Sequence, residues 1–395
     1  MVGAAAGIPA CRRGVEAPRW GSRATAPVKV AHYCSYLLEG ETGSANSARG
    51  WCEALAREGV EVLCPIGQGE RRLPAPEGAS IVPVEHRLSG RFQSPVHLER
   101  VLGGIDVLVL HGGWVMGNII AGRASARSGV PFLVTAHGVY NTWVLDRRRR
   151  YKSLWNRLFE RRHLNRALGV HVFFPEERAG LARMNVASPL VVAPNGVPKL
   201  PPATWDGGSG GYLLWLGRYE VQTKGLDLLL QALALTPPPE RPPLRLHGPD
   251  WRGGKSMVAK LVRDLGLDRW VTVGDPIYGD AKWKVIASAA GYVHPSRRDA
   301  CPLSVTEAVS AGVPALVGDY PLGRFLASRE GAVSAEPSAA GVAVSIERLL
   351  SSKGAEVARE GARVVRDHLS WDAVARSWLE QVDRLLETHR APARG

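Results

Sequence analysis

Two cationic and two acidic residues in the second half of the chain have the spacing of a site for a phosphorylated, hydroxylated ligand. Arg218 and Lys224 lie six residues apart, on either side of the turn between an apolar strand and a helix. Asp299 and Glu307 lie eight residues apart, the first in a polar loop and the second in the helix that follows Pro302. Guanidinium and ammonium groups bind a diphosphate, whereas carboxylates accept hydrogen bonds from hydroxyl groups. The four residues therefore predict a ligand that carries both phosphate and sugar-like hydroxyl groups.

The two acids belong to a predicted strand-loop-helix-strand segment between Gly291 and Asp319. Pro302 starts the helix of this segment and Gly312 ends it. The first turn of a helix exposes backbone N–H groups, and at the carboxyl edge of a parallel sheet such a turn often binds an anion. The alternative for each charged residue is a solvated surface side chain, which is the usual fate of Arg, Lys, Asp and Glu.

Strands and helices alternate along most of the chain. In the first half the pattern predicts strands at 28–33, 60–64, 105–110, 131–136, 170–174 and 190–193, and a helix at 44–58. In the second half it predicts strands at 212–216, 244–246, 271–273, 292–294 and 315–317, and helices near 226–233, 254–265 and 281–289. This alternation predicts two doubly wound α/β domains. A segment rich in Pro and Gly, 198–211, is expected to link them, and apolar residues at helical spacing predict a last helix at 371–386.

The second half resembles the donor-binding signature of family 4 of the retaining glycosyltransferases with the GT-B fold. The resemblance rests on Pro295, Ser296, Asp299, Glu307, Ala308, Gly312 and Pro314, preceded by Gly217-Arg218 and Lys224-Gly225. In the first half, Thr135-Ala136-His137-Gly138 and Pro194-Asn195-Gly196-Val197 are similar to segments of the same family. The family usually has Glu where this chain has Asp299, and Gly-Phe-Gly where this chain has Ala-Cys-Pro-Leu. The resemblance therefore assigns the general site but not the donor sugar.

The resemblance implies a fold, a domain order and a reaction. The fold would be α/β of the GT-B type, with two Rossmann-like domains facing each other across a cleft. Residues 27–200 would bind the acceptor, residues 201–370 would bind the nucleotide sugar, and a helix at 371–390 would cross back to the first domain. The enzyme would move a sugar from a nucleotide-diphosphate sugar to a hydroxyl acceptor with retention of configuration. No cofactor and no metal is expected, because Arg218, Lys224 and a helix start would replace the divalent ion.

The resemblance also implies roles for individual residues. The catalytic set is His137, Arg218, Lys224 and Asp299, and the donor-binding set is Gly43, Gly217, Gly248, Pro302, Leu303, Ser304 and Glu307. The two cations would stabilise the leaving diphosphate, Asp299 would accept from sugar hydroxyls, Glu307 would accept from the ribose, and the amides near Leu303 and Ser304 would meet phosphate. Structural alternatives stay open, because His111 and His137 also suit a helix cap, and Gly43 and Gly248 also suit an ordinary turn.

Charge and composition favour anionic partners and a reducing compartment. The 395 residues carry a net charge of +13, which favours nucleotides, phospholipid surfaces or nucleic acid as partners. The five cysteines are scattered without a CxxC pair, so neither a disulfide framework nor a zinc site is indicated. No run of apolar residues is long enough to span a membrane, and residues 1–26 lack the apolar core of a signal peptide and are expected to be a disordered tail. These features predict a cytoplasmic protein, with peripheral attachment to the inner face of the membrane as a further expectation.

The most basic part of the chain, residues 146–167, predicts an amphipathic helix with an apolar stripe formed by Leu154, Trp155, Leu158 and Phe159. A membrane or acceptor surface is expected at Arg147, Arg148, Arg149, Arg150 and Lys152. Basic amphipathic helices often lie on anionic membranes, and the family resemblance implies contact with lipid-linked acceptors. The alternative is a helix packed in the core with a solvated basic face. Nucleic acid is not expected as a partner, since the aromatic residues are not spaced for base stacking.

The expected function is that of a glycosyltransferase in polysaccharide or natural-product biosynthesis, acting on a lipid-linked saccharide, another glycan or a natural-product alcohol. One alternative is a nucleotide-sugar 2-epimerase of the same fold, which needs additional acid/base carboxylates that the sequence does not show. The other is a membrane-surface scaffold that kept the fold and lost turnover, which Asp299 and the altered loop after it would explain.

Overall fold

The structure is a computed structural model that describes residues 28–38, 42–67, 73–88, 92–198 and 201–390. It divides into two compact units. Unit 1 comprises Met1–Gly196 and Trp371–Gly395, and unit 2 comprises Val197–Ser370. The predicted disordered tail at residues 1–26 lies outside the described residues.

Unit 1 is built on a parallel sheet whose interior strands are buried on both faces. The strands of this unit are β1 Lys29–Tyr33, β2 Glu61–Ile66, β3 Ala79–Pro83, β4 His86–Arg87, β5 Ser94–Pro95, β6 Val107–His111, β7 Phe132–Thr135, β8 Gly169–Val172 and β9 Leu190–Val192. The main sheet has the order β3-β2-β1-β6-β7-β8-β9, so the strand order reverses between β1 and β6. β4 and β5 form a separate antiparallel pair. Near-continuous apolar strands such as Val107–His111 are typical of a parallel sheet covered by helices.

The helices of unit 1 cover this sheet. They are α1 Gly43–Arg57, α2 Met116–Arg127, α3 Thr142–Asp146, α4 Arg149–Trp155, α5 Arg161–Leu164 and α6 Arg178–Arg183, with 3₁₀ turns at Leu98–Val101 and Pro175–Glu177. α1 begins after Thr42, whose hydroxyl accepts a hydrogen bond of 3.2 Å from the Ala45 amide and so caps the helix. Trp51 and Leu55 on its apolar face are buried in the core.

The predicted amphipathic helix at 146–167 is present but interrupted. A π turn at Asn156–Glu160 joins α4 to α5, and Arg148 has the left-handed φ of 53°, so the helix begins at Arg149. The predicted apolar stripe divides between core and surface. Trp155 is buried, whereas the Leu154 and Leu158 residues are 58% and 55% exposed.

Unit 2 repeats the architecture with a six-stranded parallel sheet. Its strands are β10 Leu213–Leu216, β11 Leu244–His247, β12 Val271–Gly274, β13 Gly291–His294, β14 Ala315–Val317 and β15 Val333–Ser334. The order is β12-β11-β10-β13-β14-β15. Its helices are α7 Val221–Lys224, α8 Leu226–Leu235, α9 Gly254–Asp264, α10 Gly279–Ala287, α11 Leu303–Ser310, α12 Pro321–Ala327, α13 Ala339–Leu350 and α14 Ser352–His368, with a 3₁₀ turn at Pro238–Glu240.

The last helix, α15 (Trp371–Arg390), belongs to unit 1. Its Trp371 and Trp378 rings pack against Trp51 of α1, with ring centroids 5.4 and 6.2 Å away. A Cβ atom at Gly50 or Gly196 would collide with the Trp371 ring, so these glycines admit the indole. Large aromatic contacts of this kind contribute several kcal/mol to a core, on the order of 3–5 for the loss of one Trp.

The predicted α/β class with two Rossmann-like parallel sheets is confirmed. Strands β3, β4, β5 and β15 and helices α2, α3, α6, α7 and α12 to α14 have no counterpart in the sequence prediction. Within the predicted linker, 198–211, Trp205 packs on unit 2. The Trp205 amide and indole donate to the carbonyls of Ala311 and Ala289 at 2.7 and 2.8 Å.

Candidate functional site

The predicted catalytic and donor-binding residues, other than His137 and Gly43 of unit 1, lie at the carboxyl edge of the unit 2 sheet. Arg218 and Lys224 follow β10, and Asp299 and Glu307 follow β13. β10 pairs with β11 on one side and with β13 on the other, so the strand order reverses between β10 and β13. Doubly wound sheets bind their ligands at such a switch point. The fold therefore places the predicted cations on one side of this switch point and the predicted acids on the other.

Lys224 and Asp299 form an ion pair although 75 residues separate them in sequence. Both side chains are largely buried, with 13% and 16% of their surface exposed. The second Asp299 oxygen accepts from the Ala300 amide at 2.9 Å, and the His294 ring stands 3.7 Å from the carboxylate. Burial by itself raises the pKa of Asp299, but the charge of the Lys224 ammonium and the hydrogen bonds from Lys224 and the Ala300 amide outweigh it and hold the pKa below its ordinary value. Asp299 is therefore a charged, positioned acceptor at neutral pH.

Glu307 is paired in the same way with Lys282 of α10. The Lys282 ammonium lies 2.7 Å from the carboxylate, and 20% and 17% of the two side chains are exposed. The sequence analysis did not identify Lys282, because it lies on the helix before β13 and belongs to no motif. Its position shows that each predicted acid of the site has its own lysine.

Arg218 is held away from the lysine pairs. Its guanidinium lies 2.9 Å from Glu220 and 4.8 Å from the centre of the Trp251 ring, and 45% of the side chain is exposed. A guanidinium stacked on an aromatic ring keeps its planar donors available at the edge of the sheet. Arg218 and Lys224 thus lie near the same turn, but each is held by a different carboxylate.

His294 and Tyr320 form a second buried layer behind Asp299. The Tyr320 hydroxyl lies 2.9 Å from His294 Nδ1, and His294 Nε2 faces Asp299. Burial, and then the nearby Lys224 charge, lower the pKa of His294 to about 3, so the ring is neutral at pH 7. The sequence analysis identified neither residue. His294 is the last residue of a strand, which is the kind of position that made His111 a candidate.

Two glycines allow the turns of this edge to approach each other. A Cβ at Gly248 would collide with the Gly217 carbonyl oxygen, and a Cβ at Gly225 would collide with the Pro295 carbonyl oxygen. Gly225 also has a left-handed φ of 67°. A Cβ at Gly217 would meet only the Trp215 ring, at 3.1 Å. The structure thus accounts for Gly225 and Gly248 by packing alone.

The start of α11 presents two backbone donors. Pro302 precedes the helix, and the amides of Leu303 and Ser304 have no acceptor among the described residues. The Ser304 hydroxyl is occupied, because it donates to the Leu216 carbonyl at 3.1 Å and accepts from Tyr292 at 2.8 Å. Only the amides, and not the Ser304 side chain, are thus available to an anion.

In unit 1, three histidines form a chain across the carboxyl ends of β1, β6 and β7. His32 Nδ1 lies 2.9 Å from His111 Nε2, and His111 Nδ1 lies 2.9 Å from His137 Nε2. Burial lowers the pKa of His32 and of His137 to about 3 and that of His111 well below its ordinary value. The three rings are therefore neutral at pH 7, and because a neutral imidazole has one donor and one acceptor, the tautomer of each ring constrains the next.

The backbone around His137 explains its position. His137 and Gly138 have left-handed φ values of 48° and 73°, so the chain turns sharply where β7 ends. The residue as a whole is half-buried. Gly43, the other predicted site residue of unit 1, is the first residue of α1, and a Cβ there would have no neighbour within 4 Å.

Four of the five residues predicted to form a membrane or acceptor surface are exposed, and the fifth, Lys152, makes contacts within unit 1. Arg147, Arg148, Arg149 and Arg150 are exposed, and Arg147 lies 5.3 Å from the Trp143 ring centre. Lys152 instead donates to the Val144 carbonyl and lies 5.5 Å from the Trp114 ring centre. A larger basic feature follows in the same segment, where Arg157, Arg161, Arg162 and Arg166 line a groove of about 540 Å³. These four arginines were not among the predicted site residues.

The two halves of the chain match two related family descriptions. Residues 42–196 match "Glycosyl transferase 4-like domain", and residues 210–352 match "Glycosyl transferases group 1". The chain belongs to the family 4 (group 1) glycosyltransferases. This confirms the resemblance inferred from the motifs around His137, Arg218 and Glu307.

Solved structures agree on the GT-B fold of this glycosyltransferase. Sucrose-phosphate synthase from Thermosynechococcus elongatus is 18% identical, with 92% of this chain and 100% of that chain covered and a TM-score of 0.71. HepE of Anabaena, in complex with UDP-glucose, is 13% identical, with 90% and 99% covered and a TM-score of 0.72. The lipopolysaccharide outer core galactosyltransferase WaaB is 15% identical, with 90% and 99% covered and a TM-score of 0.62. No curated protein sequence matches the chain significantly.

Within residues 28–390, as far as they are described, no helix has both the length and the apolar composition needed to cross a bilayer.

Proposed function

We propose that this glycosyltransferase uses a nucleotide-diphosphate sugar as donor and transfers the sugar to a hydroxyl acceptor with retention of the anomeric configuration and without a metal ion. The observation that carries the proposal is the pair of lysine–acid contacts, Lys224 with Asp299 and Lys282 with Glu307, beside the switch point of unit 2. A diphosphate and sugar hydroxyls can exchange with these contacts, since the ligand offers each ammonium an anion and each carboxylate a donor. HepE, which shares the fold, was solved with UDP-glucose, and this supports a nucleotide sugar as the donor.

In the proposed reaction the C1–O bond to the diphosphate breaks and the acceptor oxygen bonds to C1 on the same face of the sugar. The acceptor proton passes to the departing phosphate oxygen. Negative charge grows on the diphosphate, and Arg218, Lys224 and the amides of Leu303 and Ser304 stabilise it. These fixed donors do the work that a divalent ion does in other transferases.

The acids and the histidine have positioning roles in this proposal. Asp299 accepts hydrogen bonds from hydroxyls of the donor sugar, and Glu307 accepts hydrogen bonds from the ribose. His137 lies beside the donor sugar. Gly43, Gly217, Gly248 and Pro302 shape the backbone that the donor approaches. Asp299 is one methylene shorter than the Glu usual in the family, so we expect it to select a donor that reaches closer to β13.

The acceptor is proposed to be a lipid-linked saccharide, another glycan or a natural-product alcohol, used by a cytoplasmic enzyme at the inner face of the membrane. Support comes from the exposed Arg147 to Arg150 and from the net charge of +13. Both favour an anionic surface as partner.

The test compares Lys224→Ala with Lys353→Ala. Lys353 is a matched control, because it also pairs with a carboxylate, Glu356, at 2.9 Å, but lies on α14 away from the sheet edge. Lys224→Ala is expected to lower turnover on the order of 100- to 1,000-fold, as the loss of one transition-state donor does, whereas Lys353→Ala keeps wild-type turnover. Equal turnover of Lys224→Ala and wild type would contradict the proposal.

The assay follows free nucleotide from a panel of UDP-, GDP- and dTDP-sugars, with candidate acceptors and with or without EDTA. Acceptor-dependent release that survives EDTA supports the proposal, and NMR of the product anomer tests retention. A changed sugar without transfer would indicate a 2-epimerase. Failure of every nucleotide sugar to bind would indicate a scaffold.

A further inference from the structure

In the proposed reaction, Lys224 interacts with two anions, the Asp299 carboxylate and the diphosphate. Its ammonium pairs with Asp299 Oδ2, and 13% and 16% of the two side chains are exposed. The Ala300 amide donates to Oδ1 of the same carboxylate at 2.9 Å. When the ammonium turns to the diphosphate, a sugar hydroxyl replaces one hydrogen bond but not the positive charge. Because an under-partnered buried carboxylate is costly, Asp299 needs a further donor in the donor-bound enzyme.

His294 is placed to be this further donor. It is the last residue of β13, it is fully buried, and its Nε2 atom lies 3.7 Å from Asp299 Oδ2, the oxygen that Lys224 contacts. An ionised carboxylate only accepts hydrogen bonds, so the ring nitrogen that faces it carries the proton. A separation of 3.7 Å is too long for a hydrogen bond, and an approach of roughly 1 Å would form one. The imidazole can therefore bond to this oxygen when the ammonium leaves it.

Tyr320 determines which nitrogen of His294 carries the proton. Its hydroxyl lies 2.9 Å from His294 Nδ1, and the residue is as deeply buried as the histidine. Burial raises the pKa of Tyr320 well above its ordinary value, so the hydroxyl keeps its proton and donates it to Nδ1. A neutral imidazole that accepts a hydrogen bond at Nδ1 donates one from Nε2. Tyr320 and Asp299, which face different nitrogens of the ring, therefore favour the same tautomer.

The charges around the ring link His294 to the position of Lys224. Among the described residues, the titratable groups that face the ring are Lys224 of α7, Asp299 in the loop after β13, Tyr320 before α12 and Tyr292 of β13 itself. Burial lowers the pKa of His294 most, the Lys224 ammonium lowers it further, and Asp299 raises it. The pKa is therefore expected to rise when the ammonium turns away. A ring that is closer to protonation donates a stronger hydrogen bond to the carboxylate.

We propose that His294 is a positioning residue for the donor sugar. It bonds to Asp299 Oδ2 when Lys224 turns to the diphosphate, and Tyr320 keeps its ring in the tautomer that donates from Nε2. The proposal rests on the proposed function, because the diphosphate is what draws Lys224 away. His294 contacts neither the sugar nor the diphosphate and acts through Asp299. A histidine that only packs the core would respond to neither Lys224 nor the donor.

Nitrogen-15 NMR of the His294 ring tests this arrangement without a sugar donor and without a change at His294. Wild type is expected to carry the ring proton on Nε2. Lys224→Ala is expected to raise the protonated fraction of the ring at pH 5 about 10-fold or more, since one neighbouring charge shifts a pKa by about 1 or more. Lys282→Ala, which removes the lysine that pairs with Glu307, is the control and is expected to keep the wild-type fraction. A proton on Nδ1 in wild type, or equal fractions in the two variants, would overturn the proposal.

A second measurement is the affinity of the full chain for UDP-glucose, GDP-mannose and dTDP-glucose. His294→Leu is expected to weaken binding of the nucleotide sugar that wild type binds about 10- to 100-fold, the range for loss of a supporting hydrogen-bond partner. His294→Gln, whose side-chain N–H can replace Nε2–H, is expected to recover part of the affinity. In Lys224→Ala, His294 holds Asp299 both before and after binding, so adding His294→Leu is expected to weaken binding less than about 3-fold. Equal losses in the two backgrounds would indicate a packing role and overturn the proposal.

His163→Leu is the control for the loss of a buried histidine. The His163 ring stacks on Phe132 in unit 1 with centroids 5.0 Å apart, and the variant is expected to keep the wild-type affinity. Wild type that binds none of the UDP-, GDP- and dTDP-sugars would overturn the proposed function and this proposal with it. Donor binding by an enzyme that carries the His294 proton on Nδ1 would overturn this proposal alone.

Discussion

At the scale of single residues, the site is a set of charges that already have partners. Lys224 and Lys282 hold Asp299 and Glu307 in ion pairs. Partly buried charges that are paired keep their positions without a large desolvation cost, and a ligand that offers the same charges can take their place. In the proposed reaction, a diphosphate draws the lysines away and so frees the carboxylates to accept hydroxyl groups. This gives a physical reason for phosphate and sugar to be recognised together.

The histidine chain makes a prediction of its own. His111 lies between His32 and His137, and its replacement by Leu removes the hydrogen bond that sets the His137 tautomer. We expect His111→Leu to lower turnover about 10- to 100-fold, the range seen when the second partner of a functional histidine is lost, with the KM for nucleotide sugar nearly unchanged. His111→Gln, which retains a hydrogen-bonding group, is expected to recover part of the turnover.

Nitrogen-15 NMR of the His137 ring separates this role from a packing role. A change of tautomer in His111→Leu, with partial restoration in His111→Gln, accompanies the loss of turnover if His111 positions His137. An unchanged His137 spectrum together with reduced turnover would refute the positioning role.

At the scale of elements, the site depends on turns that bring strand ends together. The turn after β10 touches the turn after β11 through Gly248 and the loop after β13 through Gly225. Neither approach leaves room for a side chain. The helix start of α1, in contrast, has room at Gly43. Glycine is therefore required by the fold at Gly225 and Gly248, whereas at Gly43 any requirement must come from a ligand.

Gly225→Ala and Gly43→Ala test this distinction. Gly225→Ala is expected to lower the free energy of unfolding by at least about 1–2 kcal/mol, because it combines a left-handed φ with a collision at Pro295. Gly43→Ala is expected to leave stability unchanged or raise it by up to roughly 1 kcal/mol and to lower turnover if the donor phosphate approaches this backbone. Urea unfolding and the nucleotide-release assay measure the two effects. Equal stability of Gly225→Ala and wild type would show that the loop after β13 moves to accommodate the added Cβ atom at little cost in free energy.

At the scale of the whole molecule, the two units differ in their buried ionisable groups. Unit 1 contains at least six histidines whose pKa is lowered by burial: His32, His86, His111, His137, His163 and His171. In unit 2, burial lowers the pKa of His294. Buried carboxyl groups oppose the histidines in unit 1, since burial raises the pKa of Glu160 and brings that of Glu177 to about 7. Because these histidines outnumber the two carboxyl groups, the unfolded state of unit 1 binds more protons in acid than the folded state, and a fall in pH therefore favours unfolding.

Unit 1 is therefore expected to lose stability before unit 2 as the pH falls. A histidine with a folded pKa of about 3 and an ordinary unfolded pKa binds its proton first in the unfolded chain. Its contribution is fully present above pH 6.5 or so and declines by up to about 1.4 kcal/mol per pH unit toward the folded pKa. Hydrogen exchange at pH 7.5 and 5 is expected to show greater loss of protection in β1, β6 and β8 than in β10 and β13.

A histidine variant and a control without a titratable group check the cause of this pH dependence. His163→Leu is expected to flatten the fall in unfolding free energy between pH 6.5 and 5, because one proton is no longer taken up on unfolding. Met257→Leu, at an exposed position of α9, removes no titratable group and is expected to leave the slope unchanged. Equal slopes in all three proteins would indicate that other groups govern the acid sensitivity.

The sequence by itself determined the α/β class, most strand positions and the motifs of the site. Apolar runs, glycine turns and the Arg218, Lys224 and Glu307 spacing are local signals, and local chain geometry depends on neighbouring residues. The short strands β3 and β15 were missed because they lack a long apolar run, and α12 to α14 because they carry no motif.

Only the tertiary structure decided which charges meet. Lys224 and Asp299 are 75 residues apart, His32 and His111 are 79 apart, and Lys282 reaches Glu307 from a helix that no motif marks. The arginine groove likewise needed the burial of Trp155 and Glu160 to show which face of the basic helix remains open. Partners of this kind are set by strand order and helix packing, which depend on the free energy of the whole core rather than on local spacing.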